Sequence, residues 1–187
     1  NGYKPEGEFL IEGRTVTALK DNALKTVLEI CGLCNNARLV KESSARGGSF
    51  QKIKSMVLRN VMWRVDGDPT EGALLTAAAK GSMTNEVLEK AYFRIDEIPF
   101  DSDRKCMSVV CDNRKGESFV FTKGAPDVVL QKCGTIYTNK GIRDLDLGLK
   151  TRIIKTNDDM ASDALRVIAV AFKKLSSRAY KHIDLEK

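Results

Sequence analysis

Glu71 is the first residue whose setting suggests chemistry. It follows Asp68–Pro69–Thr70 at the predicted start of a helix. A carboxylate there is stabilised by the helix dipole, and it can also accept a hydrogen bond from an exocyclic amine such as adenine N6. On this stretch alone the dipole suffices as an explanation. A second stretch, Phe100–Asp101–Ser102–Asp103–Arg104–Lys105, sets an aromatic ring at a strand end beside two cations. That combination suits stacking on a base with attraction of phosphate, but a core phenylalanine next to a solvated turn fits as well. In Lys123–Gly124–Ala125–Pro126, Gly124 lets a ligand approach the backbone, Lys123 supplies a point charge, and Pro126 fixes the start of a helix. Arg166, in Ala164–Leu165–Arg166, either faces a phosphate or caps the helix before it. Lys105 and Met107 are candidates for the same cleft, which the sequence alone does not assemble.

Several familiar chemistries lack their residues. The chain has no G-x-x-x-x-G-K-S/T phosphate loop and no G-x-G-x-x-G turn. His182 is the only histidine, which leaves no credible Ser/His/Asp set, and no G-x-S-x-G elbow occurs. Cys31 and Cys34 form a C-x-x-C, but inside an apolar helical pattern and without a second ligand pair at zinc-site spacing. The five cysteines are expected to be buried free thiols in a reducing compartment. These parts describe a nucleotide holder better than a self-sufficient catalyst.

The elements that must position these residues are readable from pattern. With 187 residues, 42% of them hydrophobic and 30% charged, the chain suits one well-buried domain. No apolar run nears the roughly 20 residues of a membrane span. The net charge of +6 suits a polyanion, but the 31 cations are scattered among 25 acids, so nucleic acid is not the expected partner. A strand is predicted near Glu8 to Ile11, then a helix capped by Asp21 and running to about Asn35. Residues 41–57 read as an exposed loop. Asp68, Pro69 and Gly81 bracket a helix, a short helix follows over Asn85 to Ala91, and Tyr92 to Pro99 alternates as a strand. Cys106 to Cys111 and Ser118 to Thr122 form a hairpin. A helix starts at Pro126 and runs to Lys132, and a polar connection follows it. Leu147 to Ala164 is predicted as a long amphipathic helix, and Arg166 to Phe172 as a buried strand. The expected class is α+β, a twisted antiparallel β-sheet flanked by helices.

Taken in series, GDPTEGALL (Gly67 to Leu75), PFDSDRKCMSVV (Pro99 to Val110), KGAPD (Lys123 to Asp127) and ALRVIAVAFK (Ala164 to Lys173) resemble the ordered signature blocks of P-type ATPase nucleotide-binding domains. The opening GYKPEGEF resembles the segment after the phosphorylation loop of calcium-type (type II) pumps, and the whole is most similar to bacterial calcium-transporting ATPases. The resemblance covers nearly the whole chain as a single nucleotide-binding domain, 1–187. Residues 1–7 and 176–187 then look like connections to an absent phosphorylation domain.

The resemblance implies an ATP-binding domain, with Mg-ATP as the form used by the intact pump at the cytoplasmic face of the cell membrane. Phe100 would stack on adenine and Glu71 would bond near its amino group. Lys105 and Lys123 would line the pocket, Gly124 would admit the base, Met107 and Ile168 would form apolar walls, and Arg166 would reach the phosphates. Ser102 stands where related animal calcium pumps often carry arginine, and Asp127 where glutamate is commoner. The chain holds no D-K-T-G-T block, so the phosphate-accepting aspartate is not in it. The implied partners are ATP and the phosphorylation and actuator domains of the pump, with the chain itself monomeric and not embedded in the membrane. It is expected to bind ATP without hydrolysing it. The competing reading is an interaction module that keeps the fold without the nucleotide.

Overall fold

The computed structural model describes residues 2–43 and 61–175. The structure opens with a two-stranded antiparallel ribbon, β1 (Phe9–Ile11) and β2 (Arg14–Val16), followed by a single 3-10 turn at Ala18–Lys20. Helix α1 (Asn22–Leu33) begins where the Asp21 carboxylate accepts from the Leu24 N–H, the cap expected of that residue. A second ribbon, β3 (Arg38–Ser43) with β4 (Val61–Asp66), leads to α2 (Pro69–Lys80) and α3 (Asn85–Ala91).

The main sheet is antiparallel and has four strands. Three of them, β5 (Tyr92–Asp101), β6 (Cys106–Asn113) and β7 (Ser118–Gly124), form a meander. After α4 (Pro126–Gln131), the ribbon β8 (Thr135–Thr138) and β9 (Gly141–Asp144), and α5 (Leu147–Ser162), the chain returns as β10 (Ala169–Leu175) beside β7. The α+β architecture read from the sequence is the one observed.

Helix α1 holds the layers together because it is apolar on two sides. Leu28 and Cys31 pack with Ala18, Ala78, Met83 and Leu88 of the neighbouring helical layer. Ile30 and Cys34 pack on Met107, Val109, Cys111 and Phe121 of the sheet. Alternation along β6 and β7 sends those four side chains to the α1 face. Every residue of Cys106–Cys111 is buried, so both faces of β6 are covered. Helix α4 lies against β7 and β10, and α5 packs on α4.

Three expectations need correction. Residues 41–43 are the end of β3, paired through Lys41 with Trp63 and Glu42 with Met62, not loop; 44–57 lie outside the described residues, as do 176–187. The last strand begins at Ala169 rather than Arg166, and as an outer strand of the sheet it is half-buried, with Phe172 37% exposed. The polar connection after α4 is a hairpin, whose Tyr137 meets Phe172 edge to face with ring centroids 5.8 Å apart. Strand β2 also escapes sequence reading, because three residues are too few to show a period.

Helix α2 is pressed against β4 through a missing side chain. A Cβ on Gly72 would stand 2.4 Å from Val65 Cγ2 and 2.9 Å from its Cβ. Gly72→Ala is therefore expected to destabilise the fold by about 1–3 kcal/mol through overpacking, against alanine's helix preference of about 1 kcal/mol. Urea unfolding checks this, and an unchanged or raised midpoint would show that the contact relaxes freely.

Candidate nucleotide site at one end of the sheet

The first turn of α2 carries Glu71, and its geometry is fixed locally. Asp68 Oδ1 accepts from the N–H groups of Thr70 (2.8 Å) and Glu71 (3.0 Å), and Pro69 occupies the first helical position. The Glu71 N–H bond in particular holds the Asp68 carboxyl below its ordinary pKa, with further help from the Thr70 amide and hydroxyl. Glu71 thereby points its carboxylate at the sheet. Oε1 accepts from Lys123 Nζ at 2.6 Å, and Oε2 from the Asn36 N–H at 3.1 Å.

This ion pair is the most enclosed one among the described residues, with the lysine and glutamate side chains 8% and 16% exposed. Lys123 lies on the α1 face of β7, opposite Met107 in the ladder. Both partners are out of bulk water, so each needs the other's charge.

The sheet register brings the remaining candidates to the same end. Gly124 is opposite Cys106 on one side and Ala169 on the other, which sets Lys105 and Ile168 next to it along the chain. The Ala125 N–H donates to the Lys105 carbonyl at 3.0 Å. Asp101 is opposite Cys106, so the end of β5, with Phe100 and Ser102, lies beside Lys105. The ladder slips between Ile98 and Asp101, across Pro99 and Phe100. A bulge there re-aims the side chain, and Phe100 is 61% exposed. The turn behind it is held by Asp101 Oδ1, which accepts from the Asp103 and Arg104 N–H groups, and by Arg104, which donates to the Ile98, Pro99 and Cys106 carbonyls. Lys105 closes the turn in the left-handed region, at φ +51°, with its side chain exposed.

Arg166 reaches this place from the far side. Its guanidinium donates to Thr70 Oγ1 at 2.9 Å, one residue from Glu71. It is not needed at the α5 terminus, where the Leu165 and Ala164 N–H groups close on the Met160 and Ala161 carbonyls and Ala164 takes φ +59°.

Two sequence-based roles change. Met107, expected as an open apolar wall, is 1% exposed and packed among Ile30, Cys34, Val109 and Phe121, so it belongs to the core behind the site. Gly124 has a reason within the chain itself: a Cβ would fall 2.5 Å from the Lys105 carbonyl oxygen and 2.5 Å from Cys106 Cβ. Ser102 is exposed and Ile168 half-buried. Sequence reading missed Asn35 and Asn36, whose amides meet Glu71. Cys31 and Cys34 are buried free thiols, pushed up to about 11 and about 12 by burial, and Lys123 opposes the shift in both. Cys133 is half-buried rather than buried. A concavity of about 370 Å³ adjoins the same turn on the other face of the sheet, lined by Asp101, Asp103, Arg104, Cys106, Ser108, Thr122 and Lys132 and by none of the nine candidates.

A family model described as P-type ATPase, cytoplasmic domain N, matches residues 23–187. The chain belongs to this family. It is 36% identical over 176 residues to a calcium-transporting ATPase of Bacillus subtilis, covering 94% of the chain and 18% of that protein. It is 34% identical over 193 residues to the cation-transporting ATPase pma1 of Synechocystis sp. (99% and 19%). It is 32% identical over 175 residues to the calcium-transporting ATPase type 2C member 1 of Bos taurus (91% and 16%). The domain N chain thus spans less than a fifth of the length of these relatives. No helix among its described residues is long and apolar enough to cross a membrane.

Because the Glu71–Lys123 pair is desolvated, Lys123→Met is expected to cost about 2–4 kcal/mol by leaving the carboxylate without a counter-charge. Adding Glu71→Gln should recover part of that loss. Denaturant midpoints of the two variants check it, and equal midpoints would mean the pair is screened like a surface contact.

Proposed function

We propose that this chain is the ATP-holding domain of an ATP-driven cation pump, with calcium as the cargo. The observation that carries this reading is the convergence at one sheet end of an exposed aromatic, an enclosed carboxylate–ammonium pair and two exposed cations. Phe100 offers a free ring face for adenine. Glu71 offers lone pairs to the exocyclic amine, beside Lys123. Lys105 and Arg166 supply positive charge for the phosphates, with Ser102 as a neutral donor near them. Ile168 provides an apolar wall, and Gly124 keeps β7 tight against Lys105.

These groups fit ATP in kind and charge. Glu71 and Lys123 pair with each other, and the exposed Lys105 and Arg166 are the cations offered to a polyanion, while the Asp68 and Asp101 carboxylates are turned onto backbone N–H groups. Magnesium enters with the nucleotide in the intact pump. The domain's work is to bind and orient, and the γ-phosphate is handed to an aspartate on a phosphorylation domain by a closing movement of the gating type. The calcium assignment rests on the relatives' names, of which the Bacillus subtilis and Bos taurus proteins are calcium-transporting.

Phe100→Ala is expected to weaken ATP binding by about 1–3 kcal/mol, the usual worth of a base–aromatic stack. Calorimetric titration of ATP into the chain and its variant measures this. Since the ring is 61% exposed, the fold should be unaffected, and an unchanged dissociation constant would remove Phe100 from the site.

A further inference from the structure

Asn35 is one of four buried polar or charged residues among the described residues, 7% exposed, and every polar atom of its side chain is committed. Its Nδ2 donates to the Cys31 carbonyl and to the Glu71 carbonyl, both at 3.0 Å. Its Oδ1 accepts from the Ala37 N–H at 2.9 Å, and its own carbonyl accepts from Arg94 at 3.1 Å. Cys31 is in the last turn of α1, whose final carbonyls lack partners within the helix. The side chain therefore does two jobs with one amide: it caps α1 and it grips α2 at the residue that bears the carboxylate.

The neighbouring backbone repeats the grip. Asn36, the next residue, donates its N–H to Glu71 Oε2. The Ala37 backbone is held from the other side by Gly67, where a Cβ would come within 2.9 Å of Ala37 Cα. The segment Asn35–Ala37 is thus clamped between α1 and the turn before α2, and Glu71 is fixed at both its main chain and its carboxylate.

We propose that Asn35 is a positioning residue of the nucleotide site, holding the Glu71 carboxylate in the attitude from which it meets Lys123 and the base. This rests on the reading of the site as an ATP pocket. Aspartate shares the shape of asparagine but has no donors when ionised. It keeps the bond from Ala37 while turning an oxygen toward two carbonyls, so Asn35→Asp releases Glu71 without removing volume.

A double-mutant cycle on the 187-residue chain separates positioning from general loss of structure. ATP dissociation constants are measured by calorimetry for the chain, Asn35→Asp, Glu71→Gln and the double variant, each first shown to unfold cooperatively. Asn35→Asp is expected to weaken ATP about tenfold, the scale of one hydrogen bond to a charged group, and by less than about threefold once Glu71 is glutamine. An unchanged constant for Asn35→Asp, or the same factor in both backgrounds, overturns the proposal. If Glu71→Gln alone leaves ATP affinity unchanged, the pocket reading fails instead. Should Asn35→Asp not fold, Asn35→Ser, which keeps one donor, enters the same cycle with a smaller expected loss and the same non-additivity.

Discussion

The buried pairing of Glu71 with Lys123 is the constraint around which the site is built. It joins residues 52 positions apart at 2.6 Å, one in the first turn of a helix and the other on a strand inside the sheet. A pair withdrawn from water gains little or nothing over an apolar pair of the same size, but loses heavily if either partner is lost. It therefore fixes register and orientation more than it adds stability. Around it the sheet end is pinned by short contacts with no slack: Gly124 against Lys105 and Cys106, Gly72 against Val65, and Gly67 against Ala37.

The outward-facing groups are held differently. Phe100 stands on a bulge, Lys105 closes a left-handed turn, and Arg166 follows a helix end in which Ala164 takes a conformation usually left to glycine. Phe100 and Lys105 are placed through their backbone with their side chains exposed, and Arg166 is placed through its bond to Thr70 Oγ1. On the proposed reading, a fixed interior pair and exposed groups around it let a ligand enter without rebuilding the core.

Much of this was legible in the sequence because it is local. Asp21, Asp68, Pro69 and Gly81 announce helix ends by short-range chemistry, and the helices begin and stop beside them. The β6–β7 hairpin follows from alternation around a polar turn. The four blocks that resemble those of P-type pumps contain Phe100, Lys105 and Gly124, which the register sets at one sheet end, and Glu71 and Arg166, which side-chain bonds bring to it. What escaped depends on contacts distant in the chain. Nothing in Asn35–Asn36 shows that their two amides will meet a glutamate 36 and 35 residues away. Met107 sits in an apolar alternating run that is the same for a core strand and a pocket wall, and only the seat of α1 decides between them. The β8–β9 ribbon was hidden because Thr135–Thr138 and Gly141–Asp144 are short and half polar.

Whether this sheet end receives ATP is read from amide-resolved NMR of the chain titrated with ATP, without magnesium and then with it. Shifts are expected in the neighbourhood of Glu71, Phe100, Lys123 and Arg166, with Ser108 and Thr122, on the other face of the sheet, left in place. No shifts at millimolar ATP, or shifts centred on Ser108 and Thr122, would contradict ATP binding at this sheet end.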